Sequence, residues 1–351
     1  MVNNSLQLLK KANIFTHSPF FSMGVMTLLS LVFTKYYFLF TSEYYPPSHA
    51  NKIASFEADK VFQKRFLIPV TADFLSRSTP LSFDKSLKFL AALSTLGLLY
   101  YFKNILEIFT NSHSNYNWYL LLLIPVSWNY MFLNSIYHAY DIPTLFFFCA
   151  CLYLFLKQKY ILFYFTFLIA TLNRESTCFI TISLALLLSR FSSDCRLKDI
   201  FIQNSSLLRH LCLQATLWFL VVLLIGWSLK DSPGQSYETT YSMKDFVANM
   251  WYGFSSWPYL NTETFLGNPR CFLTLFGCVW VVIPFLWNYV PIHCKKLLFL
   301  IPIYMIPALL YANLMETRVY HELNVVISLA VISGFIQFKN SLKLSADTKT
   351  C

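Results

Sequence analysis

Ten runs of apolar residues recur along the chain, at approximately 19–40, 87–106, 117–135, 142–157, 159–172, 176–189, 211–229, 272–291, 297–314 and 323–338. About 20 apolar residues in a helix cross a hydrocarbon core of about 30 Å. The repetition therefore predicts an all-α fold, a polytopic transmembrane helix bundle of about ten spans, rather than one large soluble core. The fourth, fifth, sixth and tenth runs are short for a span, a mismatch that bilayer thinning or neighbouring helices accommodate. Composition agrees. Hydrophobic residues make up 56% of the chain and charged residues 13%, about half the share of a soluble domain.

The formal net charge of +10 raises the question of nucleic acid. The basic residues are scattered between apolar runs rather than gathered on one soluble unit, which argues against that partner. The nine cysteines fall mostly inside the runs, with no zinc spacing and no disulfide framework, and read as small apolar fillers. The first run is long and lacks a small-residue cleavage site, so it reads as a retained span rather than a signal peptide. Residues 1–338 form a single integral membrane domain in this reading. A short polar cytoplasmic tail follows at 339–351.

Orientation follows from the Lys and Arg bias of the short loops. With the N-terminus inside, the inner segments hold Lys10, Lys11, Lys103, Lys157, Lys159, Arg190, Arg196, Lys198, Arg209, Lys295, Lys296, Lys339, Lys343 and Lys349. They hold only Glu107, Asp194, Asp199 and Asp347 as acids. The reading is N-in, C-in, with long first and fourth outside loops at 41–86 and 230–271. One feature disagrees: the first outside loop is itself basic. In the fourth, Phe246, Val247, Met250, Trp251 and Phe254 share a helical face suited to lying in the interface. Lys35, inside the first run, is the one exception to a gathering of polar residues toward one face.

Three short outside connections carry unusual chemistry: "YHAYDIP" at 137–143, "NREST" at 173–177 and "METRVYHE" at 315–322. A bare charge at membrane depth costs roughly 2.5–3.5 kcal/mol on insertion scales. Arg174 and Glu175 are adjacent, point different ways and need partners on other helices. Glu316, Arg318 and Asp141 are candidates. The prediction is an acidic and basic cluster facing a recessed cavity on the outer face. Each residue also has a plainer role. Asn173, Ser176 and Asp141 suit helix caps, with Pro143 in a first turn. Tyr137, His138 and Tyr140 suit interface aromatics. Arg318 suits a structural pair with Glu316 or Glu322. Lys64, Arg65, Glu57 and Asp59 suit solvated loop charges.

Carboxylates in a hydrated cleft can take a proton from a hydroxyl. Arginine forks match phosphate oxygens. Carboxylates and histidine can hold a divalent cation that bridges a phosphate, which makes magnesium or manganese a candidate cofactor while the metal ligands stay unassigned. A cleft open to lipid and to outer water would admit a polyprenyl-phosphate sugar.

The layout resembles the C-type superfamily of multi-pass membrane glycosyltransferases, which use lipid-linked sugar donors. A first span leads into a long outside loop with acidic Glu57 and Asp59, then "KRFLIPV" at 64–70. "YDIP", "NREST" and "ETRVYHE" look like stretches of poorly characterised bacterial members. The resemblance covers most of the chain in layout, through short motifs. It lacks the paired-acid motif and the soluble C-terminal domain. The resemblance implies that Asp59 or Glu57 is the catalytic base or holds the metal. Lys64, Arg65, Arg174 and Arg318 would then hold the donor phosphate. His138, Asp141, Glu175, Glu316 and His321 would position the acceptor, a glycan, lipid or protein, or would orient the arginines. Two rival readings are a polymerase of lipid-linked glycans of O-antigen type and a transporter or flippase. A transporter needs polar groups at the bilayer midplane and often inverted repeats; here the polar residues gather toward one face and no repeat is seen. A bacterial inner membrane fits better than the endoplasmic reticulum.

Overall fold

The computed structural model describes residues 19–41, 48–111, 117–132, 138–188, 205–232, 275–311 and 321–347, and every regular element among them is helical. Helix α1 is Pro19–Phe40. Three short helices follow before the next long one: α2 (Ala50–Ala54), α3 (Lys60–Gln63) and α4 (Leu67–Ser78). The long α5 spans Phe83–Thr110. The next segment starts as a 3-10 turn at Asn117–Leu122, becomes α6 (Leu123–Ser127) and ends as a π turn at Trp128–Phe132. Helices α7 (Asp141–Leu156), α8 (Tyr160–Asn173), α9 (Cys178–Leu188) and α10 (Ser205–Ser228) complete the first part. After a 3-10 stretch at Leu275–Val282 come α11 (Ile283–Leu286), α12 (Ile292–Leu298), α13 (Leu300–Tyr311) and α14 (Leu323–Asp347).

Each of the ten apolar runs thus has a helical counterpart. Four of them are long and apolar enough to cross a membrane: Phe20–Phe40, Phe83–Thr110, Ser205–Ser228 and Leu323–Leu342. The shorter apolar helices include Asp141–Leu156 and Tyr160–Asn173. At about 1.5 Å per residue they rise roughly 21–24 Å, less than a full hydrocarbon core. The interfacial face expected at 246–254 and the polar residues at 348–351 lie outside the described residues. Residues 339–347, expected as loose tail, continue α14, since "KNSLKLSAD" holds no Gly or Pro to stop it.

Helix ends follow local rules. Ser82 caps α5, its hydroxyl accepting from the Lys85 amide at 3.4 Å, with Asp84 in the first turn where the helix dipole favours an anion. Asn111, at φ 47°, closes α5 in the left-handed conformation that Asn tolerates. Pro143 sits in the first turn of α7, as expected, but Asp141 does not cap the helix: it is the first helical residue, and Tyr140 occupies the cap position without a side-chain capping bond. Arg174 breaks α8 by adopting extended backbone (φ −163°, ψ 137°), and the 3-10 turn Glu175–Thr177 then starts the return through α9.

Burial separates centre from rim. Along α14, Leu323, Val325, Val326, Leu329, Ala330 and Ile332 are all buried. On α10 only Gln214 and Ile225 are buried, while Phe219, Leu223, Leu224 and Trp227 are exposed. An apolar surface of this kind suits lipid contact. Helices α5 and α7 pack closely because Gly97 has no side chain: a Cβ there would stand 2.5 Å from the Phe146 ring.

Candidate functional site

Helix ends and connections converge at one end of the bundle. The connection between α1 and α5 supplies Arg65, and a small apolar cluster fixes its position. Ile53, Ala58 and Phe62 are buried with Tyr140 at the head of α7. Buried Gln63 staples the same loop: its Oε1 accepts from the Ala58 amide at 3.2 Å and its Nε2 donates to the Ile53 carbonyl at 2.7 Å. Arg65 follows two residues later and enters a fork. Its Nη2 and Nε donate to the two Glu175 oxygens at 3.2 and 3.5 Å, and its Nη1 donates to the Tyr140 hydroxyl at 2.9 Å. That hydroxyl lies 3.0 Å from Nδ1 of His138, whose ring stacks on Phe62.

Arg174 builds a second layer. Its guanidinium carbon stands 6.0 Å from the Tyr140 ring centroid, while that of Arg65 stands at 5.0 Å. Tyr140 thus sits beside two cations whose charges it attracts through its ring. Arg174 Nη1 is 3.7 Å from Asp141 Oδ1 and 3.0 Å from His321 Nε2. The same imidazole faces the Glu322 carboxylate, with Nε2 at 3.4 Å from Oε2, and its Nδ1 lies 2.5 Å from the Tyr130 oxygen. The π turn Trp128–Phe132 delivers Tyr130 to this position, and its neighbour Asn129 donates to Asn324 Oδ1 at 3.1 Å. Asn129 Oδ1 in turn accepts from the Phe276 amide, in a stretch whose residues 276–278 all have positive φ. Irregular backbone that is buried needs such a partner.

Glu322 closes the cluster. One oxygen accepts from the Ser176 hydroxyl and the other from Tyr304 on α13, each at 2.5 Å. Asn173 donates to the Tyr140 carbonyl and to Thr144 Oγ1 at 3.1 and 2.8 Å, locking the end of α8 onto the start of α7. Trp218 of α10 donates to the Glu175 carbonyl at 2.8 Å.

Burial is graded across this network. The Asp141 side chain is 0% exposed and that of Arg174 9%, against 12% for Arg65 and 39% for Glu175. The Arg65–Glu175 pair is therefore the network's opening to solvent. Burial raises the Glu175 carboxyl, but the Arg65 charge and its hydrogen bonds outweigh this and bring it down to about 2. A carboxylate held ionised so firmly is a poor proton acceptor at neutral pH. Its fit is to orient Arg65.

Six of the expected residues, Arg65, His138, Asp141, Arg174, Glu175 and His321, meet in one network. Arg174 and Glu175 do point apart: among the described residues, Asp141 is a partner of Arg174 and Arg65 holds Glu175. Asp59 starts α3 half-buried and Glu57 is exposed, and neither carboxylate has a hydrogen bond or ion pair among the described residues. Lys64 is half-buried at the end of α3. Glu316 and Arg318 lie outside the described residues. The sequence reading missed Tyr130 and Tyr304, whose hydroxyls are hidden within apolar runs, and gave Tyr140 and Glu322 only minor parts. Among the described residues, no three His, Cys, Asp or Glu side chains are placed to hold a metal ion. A guanidinium 3.7 Å from Asp141 also opposes a cation there. No protein-family model, no curated protein and no solved structure matches the chain.

Proposed function

We propose that the chain is a membrane glycosyltransferase that moves a hexosyl or pentosyl group from a polyprenyl-phosphate-linked donor to an acceptor hydroxyl at the extracytoplasmic face. The observation that carries this reading is the pair of inward-facing arginines, Arg65 and Arg174, each set by a carboxylate from another segment at one end of the bundle. Such forks suit a phosphate leaving group. Arg65, at the partly open rim, would meet the donor phosphate first, with Lys64 beside it. Asp59, upstream on the same loop and without a bound partner among the described residues, would take the acceptor proton; Glu57 is the alternative base. In the transfer, the acceptor O–H bond breaks as its proton passes to the carboxylate. The acceptor oxygen bonds to the anomeric carbon, and the bond from that carbon to the phosphate oxygen breaks. The phosphate leaves with the electron pair, stabilised by Arg65. Asp141, Glu175 and His321 would hold the arginines in place, and His138 would hold Tyr140. No metal enters this scheme.

The test uses inverted and right-side-out vesicles supplied with radiolabelled polyprenyl-phosphate hexoses and pentoses. Alanine at both Asp59 and Glu57 should reduce sugar transfer more than 100-fold, the scale expected for loss of a general base, with membrane insertion unchanged. Full transfer by the double variant would remove both carboxylates from the mechanism. A ladder of product lengths would favour a polymerase instead. Movement of intact lipid-linked glycan without bond cleavage would favour a flippase.

A further inference from the structure

A second polar feature lies outside this network, on the outer flank of the bundle. A crevice of about 480 Å³ between α1 and α5 is lined by Leu31, Thr34, Lys35, Phe38, Leu39, Lys88, Phe89 and Ala92. Most of its wall is apolar, yet two lysines share it. Among the described residues neither lysine has an acidic partner within ion-pairing distance; Lys88 Nζ stands over the Phe38 ring at 5.6 Å from its centroid. Thr34 is 6% exposed, and its Oγ1 has no hydrogen-bond partner among the described residues. A buried hydroxyl facing an apolar wall costs free energy unless something else completes it.

We propose that this crevice binds the phosphate headgroup of an anionic phospholipid, with the acyl chain laid along Leu31, Phe89 and Ala92. Three observations converge. Lys35 lies five residues before the end of α1 and Lys88 five after the start of α5, so each sits about 7.5 Å below the helix end nearest the site. Lysine stems of that reach bring ammonium groups to headgroup level. Thr34 adds a hydroxyl donor to the same wall, and the remaining wall is apolar, as an acyl chain requires. The assignment also accounts for Lys35, a cation inside an apolar run. Cations are tolerated on that side where they face a lipid anion.

The experiment places the full chain in nanodiscs of phosphatidylcholine, alone or mixed with phosphatidylglycerol, and reads retained lipid by native mass spectrometry together with the melting temperature. Phosphatidylglycerol should be retained and should raise melting in the unaltered chain. Lys35→Gln with Lys88→Gln should weaken retention about thirtyfold, at roughly fivefold per lysine, while Lys35→Arg with Lys88→Arg should keep it. Ala92→Trp, which fills the crevice and leaves both charges, should abolish retention, and melting in pure phosphatidylcholine reports whether each variant is folded. Inorganic phosphate added to phosphatidylcholine discs should not raise melting. Undiminished phosphatidylglycerol retention in the double Gln variant or in Ala92→Trp would overturn the proposal, and so would an equal effect of inorganic phosphate.

Discussion

The two ends of the bundle handle charge in opposite ways. At the end that gathers Arg65, Asp141, Arg174, His321 and Glu322, ionised groups are drawn inward and hold one another. At the other end cations stay half-buried and lean on aromatic rings: Lys103 over Tyr119 at 5.9 Å, Lys295 over Trp287 at 5.0 Å and Lys339 over Trp118 at 5.8 Å. Histidines there do the same. His210 stacks on Tyr160 at 4.5 Å and His293 on Phe109 at 5.6 Å. The second pattern is that of an interfacial belt, where amphipathic side chains keep one end wet. The first removes charges from water, and each carries a desolvation penalty that only close partners offset. A fold that needed only anchoring had no use for the first arrangement, which is the physical reason to place chemistry there.

The contrast is sharpest in what removing one cation does. Arg174→Ala would leave Asp141 and Glu322 buried without their guanidinium, and should destabilise by about 3–5 kcal/mol. Lys339→Ala at the opposite end loses a cation–π contact and should cost about 1 kcal/mol or less. Reversible unfolding in mixed micelles compares the two, and equal losses would break the comparison. A hydroxyl gives the next largest difference. Tyr304→Phe takes a donor from a buried carboxylate, at a cost of about 1–3 kcal/mol. Tyr164→Phe removes the 2.8 Å bond to His210 on the half-exposed α10 and should cost about 0.5–1.5 kcal/mol, the range of an ordinary neutral hydrogen bond.

How much of this was legible in the sequence depends on which physical rule wrote each part. The apolar runs reappear as helices because hydrophobicity is a property of each stretch alone. The need of Arg174 and Glu175 for separate partners was legible because adjacent side chains cannot share one direction. The Arg65–Glu175 pair joins residues 110 positions apart, and nothing local marks it. Tyr130 and Tyr304 read as grease because a hydroxyl inside an apolar run carries no periodic signal. Span count has a similar limit: α7 and α8 are apolar but short, so length alone does not separate a crossing helix from a buried one.

The smallest effect separates the ends by pH. Glu175 titrates at about 2 in the folded chain against an ordinary value of 4.5. A lowered carboxyl stabilises the fold fully above its unfolded value and stops doing so as pH falls through its folded value. The stability gap between the unaltered chain and Glu175→Gln should therefore be flat above about pH 5 and close between 4.5 and 2. Its size should not exceed about 1 kcal/mol, because the Glu175 side chain is 39% exposed and solvent screens the pair. At the opposite end, burial and then the Lys296 charge lower His293 below its ordinary 6.5. A histidine held below its unfolded value favours the fold above 6.5 and weakens it as pH falls from there. His293→Asn should thus remove a pH dependence that begins near 6.5, two units above the window in which Glu175→Gln acts. Difference curves for the two variants, measured against the unaltered chain in the same micelles, isolate each end from the other titrating groups, including His49. Overlapping windows would mean that the acidic end is not held by its ion pairs and that the contrast between the ends is one of position alone.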